Sequence, residues 1–494
     1  MSNRPETNKQ SCPVYKKCGG CQLQNLSYPE QLEFKQRKVE KLLKRFCTVE
    51  KIIGMKTPYH YRNKVQAAFY TDKKGKIISG VYQSGSHHVV GIDSCQTEDV
   101  IADKIIVAVR KLLPSFRMTT YNEDTGKGFL RHILVKRGFA TNQIMLVLVT
   151  GTPVFPSKNN FVKAILKQFP EITTIVQNIN PYRTNLVLGD NQKVLYGKGY
   201  IEDILCGCRF RISPKSFYQI NPVQTEVLYG KAIEFANLKG NETVLDTYCG
   251  IGTIGIIAAK NGAGNVIGAE LNGDAVRDAI VNARANNLKN IRFYKADAGE
   301  FMREAADEDE KPDVVFMDPP RAGSDRKFLD SLIKMSPKKV VYVSCNPETL
   351  ARDLAYLTQN SPYKAQKIQP VDMFPHTAHI ETVVLLSRKK PDGHINVKVE
   401  FGEGEGKVPL DNIAKRAEEY KPKERVTYKM IKEYIEAKYS FKVHTAYIAE
   451  VKRDLGLPMY DAPNAVEELK QPRKHPTAEK VDAIKDALKH FEVI

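Results

Sequence analysis

From Pro214 to Arg388 the chain alternates short apolar runs with segments of helical periodicity, and this alternation restricts the possible folds more than any other feature. The runs at 266–270 and 314–317 are short and apolar enough to be buried strands. Strands that alternate with helices form a parallel sheet covered by helices on both faces. We therefore predict an α/β domain over residues 214–390.

The rest of the chain divides into four further segments by its local pattern. A Cys-rich turn and a basic amphipathic helix, which we expect to be mostly solvated, are followed by short β-rich runs that indicate a strand-rich α+β domain. After a Gly-, Pro- and charge-rich linker, two segments with capping hydroxyls predict a helix pair, either a helix-turn-helix or plain packing. The predicted domains are 1–58, 59–213, 214–390, 391–410 and 411–494. The helices predicted outside the α/β domain are 29–45, 427–438 and 445–455.

The net charge of +18, from 75 Lys and Arg against 57 Asp and Glu, favours a polyanionic partner such as a nucleic acid. Residues 391–494 contain 19 of each sign, so the whole excess lies in residues 1–390. A solvated Lys-rich surface is the alternative explanation. There is no apolar run near the roughly 20 residues of a membrane span and no signal-peptide pattern, so we expect a cytoplasmic protein without a membrane partner.

A glycine-rich turn after the apolar run 244–246 is typical of a ligand-binding loop. Gly250 and Gly252 let the backbone approach a bound molecule, and the helix that follows offers free N–H groups. Glu270 ends the next strand 20 residues after Gly250, where an acid can accept hydrogen bonds from ribose hydroxyls. A tight turn without a ligand, or a dehydrogenase, would show the same features.

Two further predicted strands end in the acidic residues Asp297 and Asp318. We expect the Asp297 carboxylate to reach an adenine amine. Pro319 and Pro320 fix the backbone beyond the sheet, so Asp318 points into the crevice at the carboxyl ends of the strands. The Asp-Pro-Pro sequence favours a methyltransferase over a dehydrogenase.

Cys345 is the candidate nucleophile. It ends the fifth predicted strand and precedes a helix that we expect to begin at Pro347 with Asn346 as its cap. A helix N-terminus favours thiolate, so we expect the pKa of the Cys345 thiol to be lowered. A buried, inert cysteine is the alternative.

Glu381 is the candidate base. It lies two residues after His379 on a segment that leads into a predicted strand at 382–387, and such side chains share a face of extended backbone. A carboxylate beside a thiolate can accept a proton from a reacting group. A solvated Glu at a strand end is the alternative.

Four cysteines have a spacing that suits a metal site, and a disulfide framework is unexpected in a reducing compartment. They are Cys12, Cys18, Cys21 and Cys95. Four thiolates suit a [4Fe–4S] cluster or a closed structural zinc site, and the spacing alone does not separate the two.

Five motifs occur in order along the chain. They are Phe217-Tyr218-Gln219-Ile220-Asn221, the loop 246–255, Asp318-Pro319-Pro320-Arg321, Ser344-Cys345-Asn346-Pro347 and His379-Ile380-Glu381. With these motifs the chain resembles the RNA uracil-5-methyltransferases, and within them the iron–sulfur-containing 23S rRNA branch, from about Cys12 to Arg388. The resemblance implies a Rossmann-like, S-adenosylmethionine-dependent methyltransferase domain, and it favours [4Fe–4S] over zinc.

The resemblance also implies roles for individual residues. The implied contacts to S-adenosylmethionine are Gln219, Tyr248, Glu270 and Asp318. Carbon 5 of uracil is a poor nucleophile, so the Cys345 thiolate would first add to carbon 6, and Glu381 would later remove the carbon 5 proton before the cysteine is eliminated. Thr253 stands where some members have Asn, and Asp297 occupies a varied position.

The RNA is the part on which alternatives stay open. The resemblance implies 23S rRNA as the substrate, with tRNA as the alternative substrate. The alternative to an enzymatic function is a non-catalytic RNA-binding ribosome assembly factor. An amino-methyltransferase normally has an aromatic residue where Arg321 stands. Because 11 residues precede Cys12, we expect the small N-terminal β-barrel of some members to be missing. The C-terminal extension is then a candidate contact to RNA or a ribosomal particle, and we expect a monomer.

Overall fold

The structure, a computed structural model, describes most of the chain outside its ends and the region around the predicted linker. The described residues are 12–83, 86, 88–184, 186–308, 311–388, 428–455 and 476–491. The chain divides into two compact units, residues 1–394 and 395–494, and each is described by itself. The predicted linker 391–410 lies outside the described residues.

The first unit contains sixteen strands and ten α-helices among its described residues. The strands are β1 (Lys64–Thr71), β2 (Ile77–Tyr82), β3 (Val89–Gly91), β4 (Leu130–Arg137), β5 (Ile144–Thr150), β6 (Ile172–Ile179), β7 (Asn191–Tyr196), β8 (Ile201–Leu205), β9 (Cys208–Ile212), β10 (Thr243–Asp246), β11 (Asn265–Glu270), β12 (Ile291–Lys295), β13 (Val314–Met317), β14 (Lys339–Ser344), β15 (Tyr363–Val371) and β16 (Glu381–Arg388). The helices are α1 (Tyr15–Cys18), α2 (Tyr28–Leu43), α3 (Val100–Leu112), α4 (Lys158–Gln168), α5 (Pro222–Ala236), α6 (Thr253–Lys260), α7 (Gly273–Ala285), α8 (Ala298–Asp307), α9 (Arg326–Met335) and α10 (Pro347–Asn360).

The first seven strands form a mixed sheet in the order β3-β2-β1-β4-β5-β6-β7, with β5 and β6 parallel and the other neighbours antiparallel. Strand β5 is buried along its whole length because the sheet is covered on both faces. Leu146 and Leu148 pack in the core that includes α3 and α4. Met145 and Val147 point the other way, into the core that includes α5 and α6. The two sheets of this unit therefore share a continuous apolar core.

The second sheet has the order β12-β11-β10-β13-β14-β16-β15. Its first five strands are parallel, whereas β16 runs antiparallel to β14 and to β15. Consecutive residues of β10 face opposite cores: Val244 packs with α5, α6 and α7, and Leu245 packs with α8, α9 and α10. Helices thus cover both faces, and the predicted α/β fold of this region is confirmed.

Helix α2 is packed against the rest of the unit, so the expectation that it is mostly solvated was wrong. Its N-terminus carries a capping box in which Ser27 and Glu30 bond each other's backbone N–H groups. Its buried positions recur every four residues, as one face of a helix requires. They are Gln31, Lys35, Val39 and Leu43. This face carries polar as well as apolar side chains, and the polar ones find buried partners after β15.

The described residues of the second unit form a small helical bundle made of α11 (Tyr428–Tyr439), α12 (Thr445–Asp454) and α13 (Ala478–His490). The first two match the predicted pair, whose flanking Thr427 and Gly456 lie outside the described residues. The third helix was not predicted. Ile435, Ile448 and Ile484 are completely buried where the helices meet. In the part of the chain that the structure describes, no helix is both long enough and apolar enough to cross a membrane.

Candidate active site

A cavity of about 630 Å³ opens at the carboxyl ends of the parallel strands. The end of each strand delivers a side chain to it, because parallel strands all finish at the same edge of their sheet. The cavity brings together all six residues predicted for catalysis and cofactor binding. They are Gln219, Tyr248, Glu270, Asp318, Cys345 and Glu381.

The glycine turn after β10 forms one wall of this cavity. Gly250 and Gly252 have φ values of +55° and +83°, a region that favours glycine. A Cβ on Gly250 would meet no atom within 4 Å, so the backbone there borders open space. Helix α6 begins directly after the turn and directs its free N–H groups towards it.

Asp246 lies beneath the turn and holds its geometry. One carboxylate oxygen, Oδ2, accepts the backbone N–H of Gly255 at 2.8 Å, whereas Oδ1 is buried without a hydrogen-bond partner. Burial raises the pKa of Asp246 to about 7. A buried carboxylate oxygen without a donor is unfavourable, so a ligand that supplies a donor fits here.

Glu270 and Asp297 border the same wall. The Glu270 carboxylate accepts backbone N–H groups of Gly250 at 3.1 Å and Asn272 at 2.7 Å, which fixes it at the end of β11. Asp297 is the N-cap of α8 and also lines the cavity. The Tyr248 hydroxyl lies 3.5 Å from that of Ser324. An adenosine-like ligand would find ribose and base acceptors along this wall.

Asp318 follows β13 and lines the cavity. Burial raises the pKa of its carboxyl group to about 7. Its charge also helps to raise the pKa of Cys345 and of Glu381, so the three groups lie close together. The Asp318 carboxylate therefore lies near both candidate reacting residues.

Cys345 stands between β14 and α10, where the sequence placed it. Helix α10 begins at Pro347, and the Asn346 side chain caps it by accepting the N–H of Glu348 at 3.0 Å. The expected lowering of the thiol pKa was wrong. Burial, followed by the charges of Glu381 and Asp318, raises the pKa of Cys345 to about 11, and Arg321 opposes this rise. Burial and the two carboxylates raise the pKa of the Cys345 thiol by more than the helix N-terminus lowers it.

Glu381 is the first residue of β16 and is only 4% exposed. Burial, and then the charge of Asp318, raises its pKa well above the usual range, while Arg321 lowers it. His379 also borders the cavity, with its ring 6.2 Å from that of Phe374. Glu381 is therefore a buried acid rather than the solvated strand end that was the alternative.

The cavity lining also includes residues that were not assigned a role from the sequence, among them Tyr229, Phe374 and Arg321. Tyr229 is fully packed in α5, and Phe374 precedes β16. Both look like ordinary core residues in the sequence, and no separate signal marks them. Arg321 had a visible signal, because it directly follows Asp-Pro-Pro, and it is the cation that opposes the raised pKa of both Cys345 and Glu381.

The four N-terminal cysteines are grouped around Cys21. Burial, and then the thiolates of Cys95, Cys18 and Cys12, raises the pKa of the Cys21 thiol to about 12, and Arg62 opposes this rise. All four are free, partly buried thiols. Within the described residues, no group of three or more His, Cys, Asp or Glu side chains has the arrangement of a metal site. The metal site therefore stays a prediction.

A sheet with five parallel strands, a glycine turn after one strand and an acid at the end of the next are typical of α/β folds that bind an adenosine-containing cofactor. The comparisons with known proteins place the chain among the S-adenosylmethionine-dependent methyltransferases. Residues 183–389 match the family described as tRNA (uracil-5-)-methyltransferase. The chain belongs to this family of RNA methyltransferases and is an RNA (uracil-5-)-methyltransferase.

Relatives cover most of the first unit. An "uncharacterized RNA methyltransferase" of Bacillus cereus is 44% identical over 78% of this chain and 84% of its own length. One of Listeria monocytogenes is 46% identical over 76% and 83%. The crystal structure of Pyrococcus abyssi tRNA (uracil-54, C5)-methyltransferase in complex with S-adenosyl-L-homocysteine is 30% identical, with a TM-score of 0.63, over 76% of this chain and 87% of that one. The predicted family is confirmed, and the 23S rRNA branch stays a prediction.

Proposed function

We propose that the chain methylates carbon 5 of a uridine in 23S rRNA, with Cys345 as the nucleophile and Glu381 as the base. The observation that carries the proposal is the strand register beside the cavity. Ser344 at the end of β14 pairs with Thr382 of β16, so Cys345 directly follows this last pair on one strand and Glu381 directly precedes it on the other, and both line the cavity. The charge of Glu381 raises the pKa of Cys345, which requires the two side chains to be near each other. One pyrimidine ring can therefore meet both side chains.

The reaction needs the Cys345 sulfur as a thiolate, although the free enzyme raises the pKa of this thiol. The Arg321 guanidinium favours the thiolate, and loss of the proton to solvent lets sulfur bond to carbon 6 and makes carbon 5 nucleophilic. After methylation, the Glu381 carboxylate accepts the carbon 5 proton, the carbon–sulfur bond breaks and the thiolate leaves. The buried Glu381 has a raised pKa, which suits it to accept a proton.

The residues on the opposite side of the cavity suit S-adenosylmethionine, which supplies an electrophilic methyl group when bound. We assign Glu270 to the ribose hydroxyls, and Tyr248 to the adenosine end. Gln219 and Asp318 would hold the amino-acid end, nearer the reacting pair. The unpartnered Oδ1 of Asp246 and the open space at Gly250 support a ligand at this wall.

Trapping the covalent step tests the assignments of the two residues. With RNA that contains 5-fluorouridine, the unmodified enzyme and S-adenosylmethionine should give a protein–RNA adduct on a denaturing gel, because the fluorine blocks proton removal. Cys345→Ala should give none. With ordinary RNA, Glu381→Gln should accumulate a methylated adduct that the unmodified enzyme resolves. An adduct that survives Cys345→Ala would refute the assignment of the nucleophile.

The choice of 23S rRNA rests on the resemblance to the iron–sulfur branch, whereas the +18 charge, which lies wholly in residues 1–390, suits any RNA. The similar solved structure is a tRNA enzyme, and this observation favours tRNA as the second candidate. The purified protein should be supplied with 23S rRNA and with tRNA, both from a strain that lacks it. We expect 5-methyluridine by mass spectrometry in 23S rRNA, and its appearance in tRNA alone would overturn this choice.

We also propose that Cys12, Cys18, Cys21 and Cys95 hold a [4Fe–4S] cluster, with zinc as the alternative. Support comes from four thiols grouped around one another beside Arg62, a donor set that suits either group. Anaerobically purified protein should contain iron and acid-labile sulfide, and Cys95→Ser should lower both. Stoichiometric zinc without sulfide would favour the structural zinc site instead.

A further inference from the structure

Glu381, the candidate base, belongs to the residue pair next to the loop of the β15–β16 hairpin. Strands β15 and β16 are joined by residues 372–380, and Val371 pairs with Glu381 where this loop begins and ends. The position of the Glu381 backbone is therefore coupled to the conformation of a nine-residue loop. Whatever holds that loop also determines where the carboxylate stands.

His376 lies in the middle of the loop and has an unusual backbone. Its φ is +69°, a left-handed conformation that is uncommon for residues other than glycine and that persists only where surrounding contacts impose it. The residue is 2% exposed, so those contacts come from the protein itself. They come from the N-terminal 60 residues, not from the methyltransferase sheet.

Gln31 of α2 is the main partner. Its Oε1 accepts the backbone N–H of His376 at 2.8 Å, and its Nε2 lies 3.2 Å from the His376 Nδ1. The same Nε2 donates to the Leu26 carbonyl at 3.0 Å, which fixes the orientation of the amide. The His376 carbonyl in turn accepts the backbone N–H of Leu23 at 3.0 Å. The backbone N–H and the carbonyl of His376 are thus both hydrogen-bonded to residues outside the loop.

The imidazole satisfies the same arrangement only as a neutral ring with its proton on Nε2. The Nε2 lies 2.9 Å from the Pro58 carbonyl, which only accepts, so Nε2 donates and Nδ1 accepts from Gln31. The ring is packed against Tyr59, with centroids 4.9 Å apart. Each nitrogen of the His376 ring and both of its backbone polar groups therefore have a hydrogen-bond partner of matching character.

We propose that Gln31 and His376 are positioning residues for the last step of the reaction, because together they set the loop that presents Glu381 to the carbon 5 proton. This inference rests on the proposed role of Glu381. Neither residue lines the cavity that contains Cys345 and the residues assigned to the cofactor, so addition and methyl transfer should proceed without the pair. Removal of the proton should then become slow, since small displacements of a reacting group reduce rates strongly.

The test compares the first turnover with later ones in the full-length protein. Total RNA from a strain that lacks the protein is incubated with tritiated S-adenosylmethionine. For Gln31→Ala and His376→Ala we expect steady-state turnover to fall by about 10–100-fold, while the methyl group incorporated in the first turnover is retained. The methylated protein–RNA adduct should accumulate on a denaturing gel, as in Glu381→Gln. Glu33→Ala, on the exposed side of α2, is the matched control and should behave like the unmodified protein.

A conservative variant separates positioning from folding. His376→Asn keeps a residue that tolerates the left-handed backbone and offers an acceptor to Gln31, so it should recover turnover relative to His376→Ala. The inference would be overturned if Gln31→Ala and His376→Ala lost both methyl transfer in the first turnover and the protein–RNA adduct. It would also be overturned if these two variants kept full steady-state activity. If Glu381→Gln itself gave no adduct, the assignment of the base would fail first, and the Gln31 and His376 variants would no longer be expected to resemble it.

Discussion

Lys35 and Asp372 form an ion pair in which both side chains are completely buried, and its removal should weaken the fold strongly. The Lys35 ammonium donates to Asp372 at 2.5 Å and to the Phe374 carbonyl at 3.0 Å. Lys35→Met keeps most of the stem and removes the charge, so Asp372 retains the Tyr28 hydroxyl at 2.9 Å but not its cation. A buried charge left without its partner costs about 3–5 kcal/mol.

The expected change in melting temperature follows from the size of the unit. Unfolding entropy is about 2.1 cal/mol/K per residue, or about 0.8 kcal/mol/K for the unit of residues 1–394. A loss of about 4 kcal/mol therefore lowers the Tm by about 5 °C. Scanning calorimetry, together with urea unfolding followed by circular dichroism, measures both quantities.

A double-variant cycle separates the pair from the rest of the loop. Lys35→Met with Asp372→Asn removes both charges, and it should destabilise the protein by less than the sum of the single variants, because no unpaired charge is left. The control is Arg37→Ala, which breaks an exposed pair with Glu33 and should change the free energy of unfolding by less than about 1 kcal/mol. Additive single effects, or a Lys35→Met effect as small as that control, would refute the reasoning.

Three further predictions concern the cavity and the second unit. The folded-state pKa of Asp318, about 7, is above its usual value of 3.8, so the stability that this carboxyl group contributes is present below pH 4 and lost as the pH rises through 7. Asp318→Asn should therefore raise the Tm of the cofactor-free protein at pH 8 and raise it much less at pH 5. An equal shift in Tm at both pH values would contradict this prediction. Gly252→Ala places a Cβ 2.7 Å from Phe293 on a backbone with φ of +83°, and this variant should bind S-adenosylmethionine more weakly in calorimetric titration. The control is Gly230→Ala, which has open space around the new Cβ. The control variant should bind normally and gain about 0.5–1 kcal/mol of stability. Deletion of residues 400–494 should weaken RNA binding in a filter assay if the helical extension contacts RNA, and an unchanged affinity removes that role.

Local patterns predicted the methyltransferase sheet and its site well, since the features that build them are local. Asn346 and Pro347 mark the start of α10 in the sequence, and the structure begins the helix there. Gly250 and Glu270 belong to a strand–turn–helix pattern that places both at one sheet edge. Tyr248, Glu270, Asp318 and Cys345 share a cavity because parallel strands end together. Glu381 reaches the same edge as the first residue of the antiparallel strand β16, and Gln219 comes from the segment before α5.

Long-range electrostatics were not predictable in the same way. Lys35 reads as a solvated residue of a basic helix, and its partner Asp372 is 337 residues away. The pKa of Cys345 was predicted from the helix that follows it, but burial together with Glu381 and Asp318 reverses the direction. Such effects depend on which charges the fold brings together, and the local sequence does not contain that information.

The docking of α2 has a consequence for the order in which the chain becomes functional during synthesis. Translation at about 5–20 residues per second makes Gln31 and Lys35 roughly 20–70 s before the loop that buries them, which lies about 340 residues later. Until β15 and the loop that follows it emerge, the polar face of α2 has no native partner. Under the proposed role of Glu381, a ribosome-bound chain would hold the cofactor-facing residues from Tyr248 to Asp318 before the loop that positions the base exists, and turnover would begin only when the first and last parts of the unit meet.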